Sequence, residues 1–166
     1  MGKTIDYYIR FYQISSKDTQ QKKIDQVEAF LQDKYFSSNS DLENSTNHKK
    51  YQQNHKEIQS FLFKQKDYQI LAEIALRCYV SEQIYQTCNA LASQYGEQHQ
   101  FKSTDLYSFV LDDVLVGDKK HNFVSLNQLQ PNQYKPLAHK ILKTFDFSKG
   151  TLLSTWVSLL PHHPHR

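Results

Sequence analysis

The chain has little of what interrupts a helix, with four glycines and four prolines among its 166 residues. So few turn-forming residues argue against a β-sandwich, in which a turn follows every short strand.

Cysteine is rarer still. Cys78 and Cys88 lie ten positions apart in one predicted helix, about 15 Å along its axis, which is too far for a disulfide. We therefore expect two buried, reduced thiols.

Long apolar runs are also missing. The sequence contains no run of about 18 apolar residues, the length that a membrane-spanning helix requires. Residues 1–14 lack the apolar segment of an export signal. We therefore predict a cytoplasmic protein that makes no contact with a membrane. The net charge is only +3, from 20 Lys and Arg against 17 Asp and Glu, which is too small to indicate nucleic-acid binding by itself.

The motifs of the common enzyme classes are absent: a P-loop, a dinucleotide glycine motif, Gly-x-Ser-x-Gly and Cys-x-x-Cys. Asp112 and Asp113 are adjacent, and neighbours on a helix point about 100° apart. They therefore indicate a solvated or partner-binding acidic edge instead of a facing catalytic pair. His162, His163 and His165 have the side chains of metal ligands, but the prolines among them favour an incidental tail. We predict a protein that is not an enzyme and has no cofactor or metal.

Apolar residues at helical spacing make up most of what the chain does contain. The strongest pattern predicts a helix over Asp67–Tyr95, with Asp67 as its N-cap and Gly96 just beyond its end. The residues of this helix predicted to be buried are Ile74, Cys78, Ile84, Cys88 and Leu91.

Weaker patterns predict the other elements. Thr19–Phe36 is predicted as one helix capped by Asp18 or Thr19, and His48–Lys66 as a surface helix with partial disorder as the alternative. Residues 1–16 fit either a helix with an aromatic face or a short strand.

Two more helices are predicted further along the chain. Ser103 or Thr104 caps the first, which Gly117 ends and in which Leu106 and Phe109 point inward. Pro136 fits the first position of the second helix, which runs to Phe145.

These elements together predict an all-α fold, a single bundle-like domain of five to seven helices around the long central helix. Residues 1–66 form an N-terminal helical region with a polar loop, residues 67–157 the helical core, and residues 158–166 an irregular tail.

The segment Lys140–Val157 has the most specific pattern. Phe145 and Asp146 end a predicted helix, and Ser148-Lys149-Gly150 form a turn in which Gly150 is free to take a positive φ. Ser154 or Thr151 can cap a second helix, which contains the order Ser154-Thr155-Trp156. Periodicity alone is typical of a corner between two helices. The order of residues resembles the second conserved region of bacterial RNA polymerase sigma factors. There Phe-Asp or Phe-Glu precedes a glycine turn and a Phe-Ser-Thr-Tyr-Ala helix.

The resemblance implies a sigma factor-like protein that binds core RNA polymerase and takes part in promoter-directed transcription initiation. Sigma-like proteins dock this region on the clamp coiled coil of the largest polymerase subunit. The implied polymerase contacts are Asp105, Leu106, Phe109, Asp112 and Asp113. Core packing is an equally good interpretation of Leu106 and Phe109.

The resemblance also implies contacts with promoter DNA. The implied residues are Lys143, Phe147, Lys149 and Trp156, with the lysines on phosphates and the aromatic rings stacked on unpaired bases. Burial against Phe145 is the alternative for Trp156. With so few cations, we expect DNA to bind weakly, or only within the holoenzyme.

The chain departs from the family pattern in two places. Forty residues separate Asp105 from Phe145, whereas the family has one helix and a short loop there. After Trp156 the family has paired aromatic and basic residues, whereas this chain has Val157–Arg166: Leu159 and Leu160 replace the aromatic pair, Pro161 breaks the helix, and no helix-turn-helix domain follows. We therefore expect a protein truncated at its C-terminus: a natural short form, a frameshift or a cloned fragment. The alternatives are a helical protein-interaction domain unrelated to transcription, or a nonfunctional truncated product.

Overall fold

The computed structural model describes residues 4–14, 19–38, 48–113 and 123–159. Seven α-helices and one β-hairpin account for most of this part of the chain. The helices are α1 (Asp6–Ile9), α2 (Asp25–Lys34), α3 (His48–Gln65), α4 (Ile70–His99), α5 (Ser103–Val110), α6 (Leu137–Thr144) and α7 (Leu153–Leu159), and the strands are β1 (Arg10–Ile14) and β2 (Thr19–Lys23). The predicted helical domain with a long central helix is confirmed.

Helix α4 lies at the centre, because its first half is mostly apolar and is buried on every side. Every residue from Ala72 to Ser81 is buried. Elements from both ends of the chain cover it: α1, β1, α2 and α3 before it, and α5, α6 and α7 after it. One cluster of buried side chains spans the boundary predicted at residue 66, since it includes Leu31 and Leu62 as well as Ile74 and Ile141.

The burial predicted along α4 is confirmed at four of five positions. Ile74, Cys78, Ile84 and Cys88 are buried, whereas Leu91 is only half-buried, because few elements cover the last turns of the helix. Both thiols are free, as expected. Burial raises the pKa of Cys88 to about 11 and that of Cys78 further, so neither thiol ionises readily near neutral pH.

The predicted limits of α4 were wrong at both ends. The helix begins at Ile70 and not at Asp67, whose carboxylate instead accepts hydrogen bonds from Lys66 and Asn127. Gly96 does not end it; the helix continues to His99, and Gln100 takes the left-handed conformation with φ 55°. Gly96 is needed for space, because a Cβ there would lie 2.6 Å from the carbonyl oxygen of Phe101.

The single helix predicted over Thr19–Phe36 was also wrong in its first turn. Thr19–Lys23 is strand β2, paired antiparallel with β1 so that Arg10 faces Lys23 and Ile14 faces Thr19. This stretch offers no apolar residue to a helix face before Ile24, so pairing with β1 prevails over helix formation. The predicted cap Asp18 lies outside the described residues. Residues 1–16 contain both alternatives, since α1 leads directly into β1.

Helix α3 is less of a surface helix than predicted. Ile58 and Leu62 are fully buried against α4, and so are the polar side chains of Asn54, His55 and Gln59. The polar residues of this segment suggested a surface helix, but several of them form a buried polar cluster.

No helix in the described residues is both long and apolar enough to cross a bilayer.

Candidate functional site

The segment from α6 to α7 forms the helix–turn–helix corner predicted for it. Helix α6 ends at Thr144, one residue before Phe145, and Pro136 is its N-cap instead of its first residue. Phe145 is almost fully buried. Its ring lies 5.4 Å from that of Phe63 on α3, centroid to centroid. Phe145 therefore anchors the corner to α3.

The turn itself is held by Asp146 and Gly150. The Asp146 carboxylate accepts the hydroxyl of Ser148 at 2.5 Å and its backbone N–H at 3.0 Å. These two bonds lower the pKa of Asp146. Gly150 has φ 71°, a conformation that side chains rarely adopt, so the predicted positive φ is confirmed.

The residues predicted to cap α7 do not cap it. The helix begins at Leu153, and the N–H of Trp156 bonds to the carbonyl oxygen of Leu152 at 3.0 Å, which makes Leu152 the N-cap in place of Thr151 or Ser154. Leu153 and Val157 are buried, and these apolar side chains hold α7 against the central helix.

The four predicted DNA contacts differ in how accessible they are. Lys143 and Lys149 are exposed, while Phe147 and Trp156 are half-buried. The Phe147 ring packs 6.0 Å from that of Phe63. The buried indole N–H of Trp156 has no hydrogen-bond partner among the described residues. Lys143 lines one cleft and Phe147 lines another, so these two predicted DNA contacts do not share a cleft.

Helix α5 carries three of the predicted polymerase contacts. The N-cap of α5 is Lys102, in place of the predicted Ser103 or Thr104. Asp105 is exposed, and its carboxylate accepts the backbone N–H of Lys102 at 2.8 Å, which satisfies an N–H at the start of the helix. Leu106 is half-buried against the core.

Phe109 does not point inward as predicted. Its side chain is 78% exposed. The buried positions around it are Tyr107 and Leu111, each two residues away and therefore on the opposite side of a helix. Helix α5 ends at Val110, and Gly117, its predicted end, lies outside the described residues. Asp105 and Phe109 are thus exposed one turn apart.

The interpretation of Asp112 and Asp113 as a solvated edge was wrong for Asp113, which is buried. Its two carboxylate oxygens accept Nε–H and Nη2–H of Arg77, each at 2.7 Å. Asp112 accepts the backbone N–H of Leu137 at 3.0 Å and the hydroxyl of Tyr134, and so caps α6. The two neighbours serve different partners, although both lie beyond the end of α5 and their divergence is therefore not that of neighbours on a helix.

Arg77 is the centre of a buried charge network that sequence reasoning missed. Its Nη1 donates to Glu73 at 3.1 Å and to the carbonyl oxygen of Val124 at 2.7 Å. Glu73 in turn accepts the backbone N–H of Leu126 at 3.1 Å. The side chains of Arg77 and Glu73 are 0% and 3% exposed. The signal was present in the sequence: an acid and a base four residues apart inside the most apolar helix.

A second buried polar cluster surrounds His55. Its Nδ1 lies 2.7 Å from the hydroxyl of Tyr8, which also accepts Nε2–H of Gln59 at 3.1 Å. The ring of Tyr8 stacks on that of Tyr79 at 5.1 Å. Burial lowers the pKa of His55 to about 4, because the imidazolium would lose its hydration. The folded protein therefore keeps His55 neutral at neutral pH.

We expect this histidine to make stability depend on pH. Below its ordinary pKa of about 6.5 the unfolded chain binds a proton that the folded chain excludes until about pH 4, so stability falls across that window. The loss between pH 7 and pH 5 is about 2 kcal/mol. Urea unfolding at both pH values measures it. In His55→Asn the loss should shrink by this amount; equal losses in both proteins would contradict the assignment.

Metal-binding clusters of three or more His, Cys, Asp or Glu do not occur among the described residues; His162, His163 and His165 lie outside them. Comparisons of the chain with protein-family models, with curated proteins and with solved structures find no match. The function must therefore be argued from the residues themselves.

Proposed function

We propose that the chain is a sigma factor-like transcription protein that binds core RNA polymerase and takes part in promoter-directed initiation. The observation that carries the proposal is the corner between α6 and α7. Three features of this corner support it: Phe145 is buried, Gly150 is left-handed, and the two proposed DNA-contacting lysines, Lys143 and Lys149, are exposed.

The proposed polymerase surface is the exposed face of α5, defined by Asp105 and Phe109. Asp113 is bonded to Arg77 and Asp112 caps α6, so neither carboxylate is free for a partner without loss of an internal bond. Charge reversal at both, which would otherwise test partner binding, should destabilise the fold instead. The clamp coiled coil of the largest polymerase subunit is the proposed partner of this surface.

A helical protein-interaction domain unrelated to transcription is the second candidate. The exposure of Phe109 favours it as much as it favours the first, because an exposed aromatic side chain can anchor any protein partner. The two candidates differ in the partner, and therefore a binding measurement with purified core polymerase separates them.

We expect Phe109→Ala to weaken binding to core RNA polymerase at least about tenfold, because the loss of a central aromatic anchor costs at least about 1.4 kcal/mol. Anisotropy of the labelled protein, titrated with core polymerase, measures the effect. The matched control is Tyr68→Ala, since Tyr68 is 77% exposed on the link between α3 and α4. Absence of binding by the unaltered protein would reject the polymerase proposal, and equal losses in both variants would reject the α5 surface.

For DNA, we propose weak binding outside the holoenzyme. The proposed contacts supply only two exposed cations, Lys143 and Lys149, and few neutralised phosphates give low affinity with a shallow dependence on salt.

A further inference from the structure

A cleft of about 390 Å³ opens between the end of α3, the segment 126–129 and α6. This volume falls in the range of small-molecule sites. None of the functions argued above uses the cleft as a whole, although Lys143 lies at its edge.

Aromatic and aliphatic side chains supply the apolar part of the lining. Phe63 and Phe145 both line the cleft, and their rings lie 5.4 Å apart at 33°. Leu126 and Leu142 add to this apolar part, and both are buried. A planar apolar group is the kind of body that such a surface accommodates.

Three lysines also line the cleft: Lys66, Lys135 and Lys143. The ammonium of Lys66 lies 2.9 Å from the carboxylate of Asp67, so these two charges offset each other. Glu73, the one carboxylate in the lining, pairs with Arg77, which also pairs with the buried Asp113. Lys135 and Lys143 outweigh the single carboxylate charge that Arg77 leaves uncompensated, and the balance favours an anion.

His139 lies within reach of the same positive charges. It lines the cleft beside the lysines. Its pKa is lowered by burial first and then by the positive charges of Lys135, Lys143 and Arg77. Cations that resist a further proton on His139 attract an anion at the same place.

We propose that this cleft binds a phosphate ester that carries an aromatic base, with the base against Phe63 and Phe145 and the phosphate among Lys66, Lys135 and Lys143. The proposal goes beyond the polymerase function and does not depend on it. A free nucleotide and a nucleotide within a DNA strand share this chemistry, and the experiment distinguishes them.

Titration with adenosine 5′-monophosphate, followed by calorimetry at low ionic strength, tests the site. We expect this nucleotide to bind more tightly than either adenosine or inorganic phosphate, since each of these lacks one half of the recognised group. The double variant Lys135→Gln, Lys143→Gln should weaken binding at least about tenfold. Lys140→Gln is the control: Lys140 is exposed on the same helix but does not line the cleft, and its loss should change the affinity less than twofold.

A second measurement locates the ligand. The bound phosphate adds negative charge beside His139 and should raise the pKa of its imidazole, followed by NMR through the ring protons. An oligonucleotide without a terminal phosphate that displaces the nucleotide identifies a strand as the source; failure to displace it identifies the free nucleotide. No binding of the nucleotide, or equal weakening by the double variant and by Lys140→Gln, would overturn the site. Polymerase and promoter are absent from both measurements, so their outcome is separate from that of the polymerase proposal.

Discussion

Replacing Arg77 with methionine is expected to cost about 3–5 kcal/mol of stability, measured by urea unfolding at neutral pH. Methionine fills much of the volume of the arginine stem, so the loss is electrostatic. It leaves Glu73 and Asp113 buried without the cation that both now contact. Domains of this size are stable by only about 5–15 kcal/mol, and the loss is therefore a large part of the total.

Arg10→Met is the matched control for this variant. Arg10 also forms an ion pair, with Asp6 at 3.8 Å, but the two side chains are 44% and 28% exposed. Exposed pairs contribute little, so the change should stay within about 1 kcal/mol. Adding Glu73→Gln and Asp113→Asn to Arg77→Met should recover part of the loss, because the uncompensated charges are then gone. Equal small losses at Arg77 and Arg10 would contradict the buried network.

The variant Ile84→Asp is expected to unfold most of the protein. Ile84 is 6% exposed on α4, and a carboxylate there loses its hydration without a cation to compensate for it. We expect a loss above about 4 kcal/mol, visible as a lower helical signal in far-ultraviolet circular dichroism at room temperature.

Ile14→Asp makes the same chemical change at a position that is 36% exposed at the end of β1. Water still reaches a carboxylate at this position, so its cost should be far smaller. A folded Ile84→Asp protein with native spectra and an unchanged urea midpoint would remove this residue from the core.

The sequence was informative where apolar periodicity and backbone geometry act together. The stripe on α4 predicted its central place, and Ser148-Lys149-Gly150 predicted the turn before α7. The pattern failed where contact with a neighbouring segment, and not the segment's own composition, decides the structure. β2 is almost entirely polar, and only its pairing with β1 makes it a strand. Glycine is typical of a helix end, but Gly96 lies within α4. It is needed there because the chain turns after the helix and brings the carbonyl oxygen of Phe101 against Gly96.

The candidate site was predicted less well, for an electrostatic reason. Charged residues were assigned to the surface because burial of a lone charge is costly. That rule fails when charges are buried together: Asp113 finds Arg77, which lies 36 residues earlier in the chain. The prediction for Phe109 had the opposite error, since an apolar residue was assigned to the core and is exposed. In an eight-residue helix, the contacts with neighbouring elements decide which side faces the core.

Elements from both ends of the chain cover α4, and this limits how parts of the gene can be recombined. The sigma-like pattern is confined to residues 67–157, yet α1, β1 and α3 supply part of the apolar cover of α4. Recombination that carried only the patterned half into another gene would carry a helix with its apolar sides open to water. Either half inherited alone would therefore lack the apolar cover that the other half supplies.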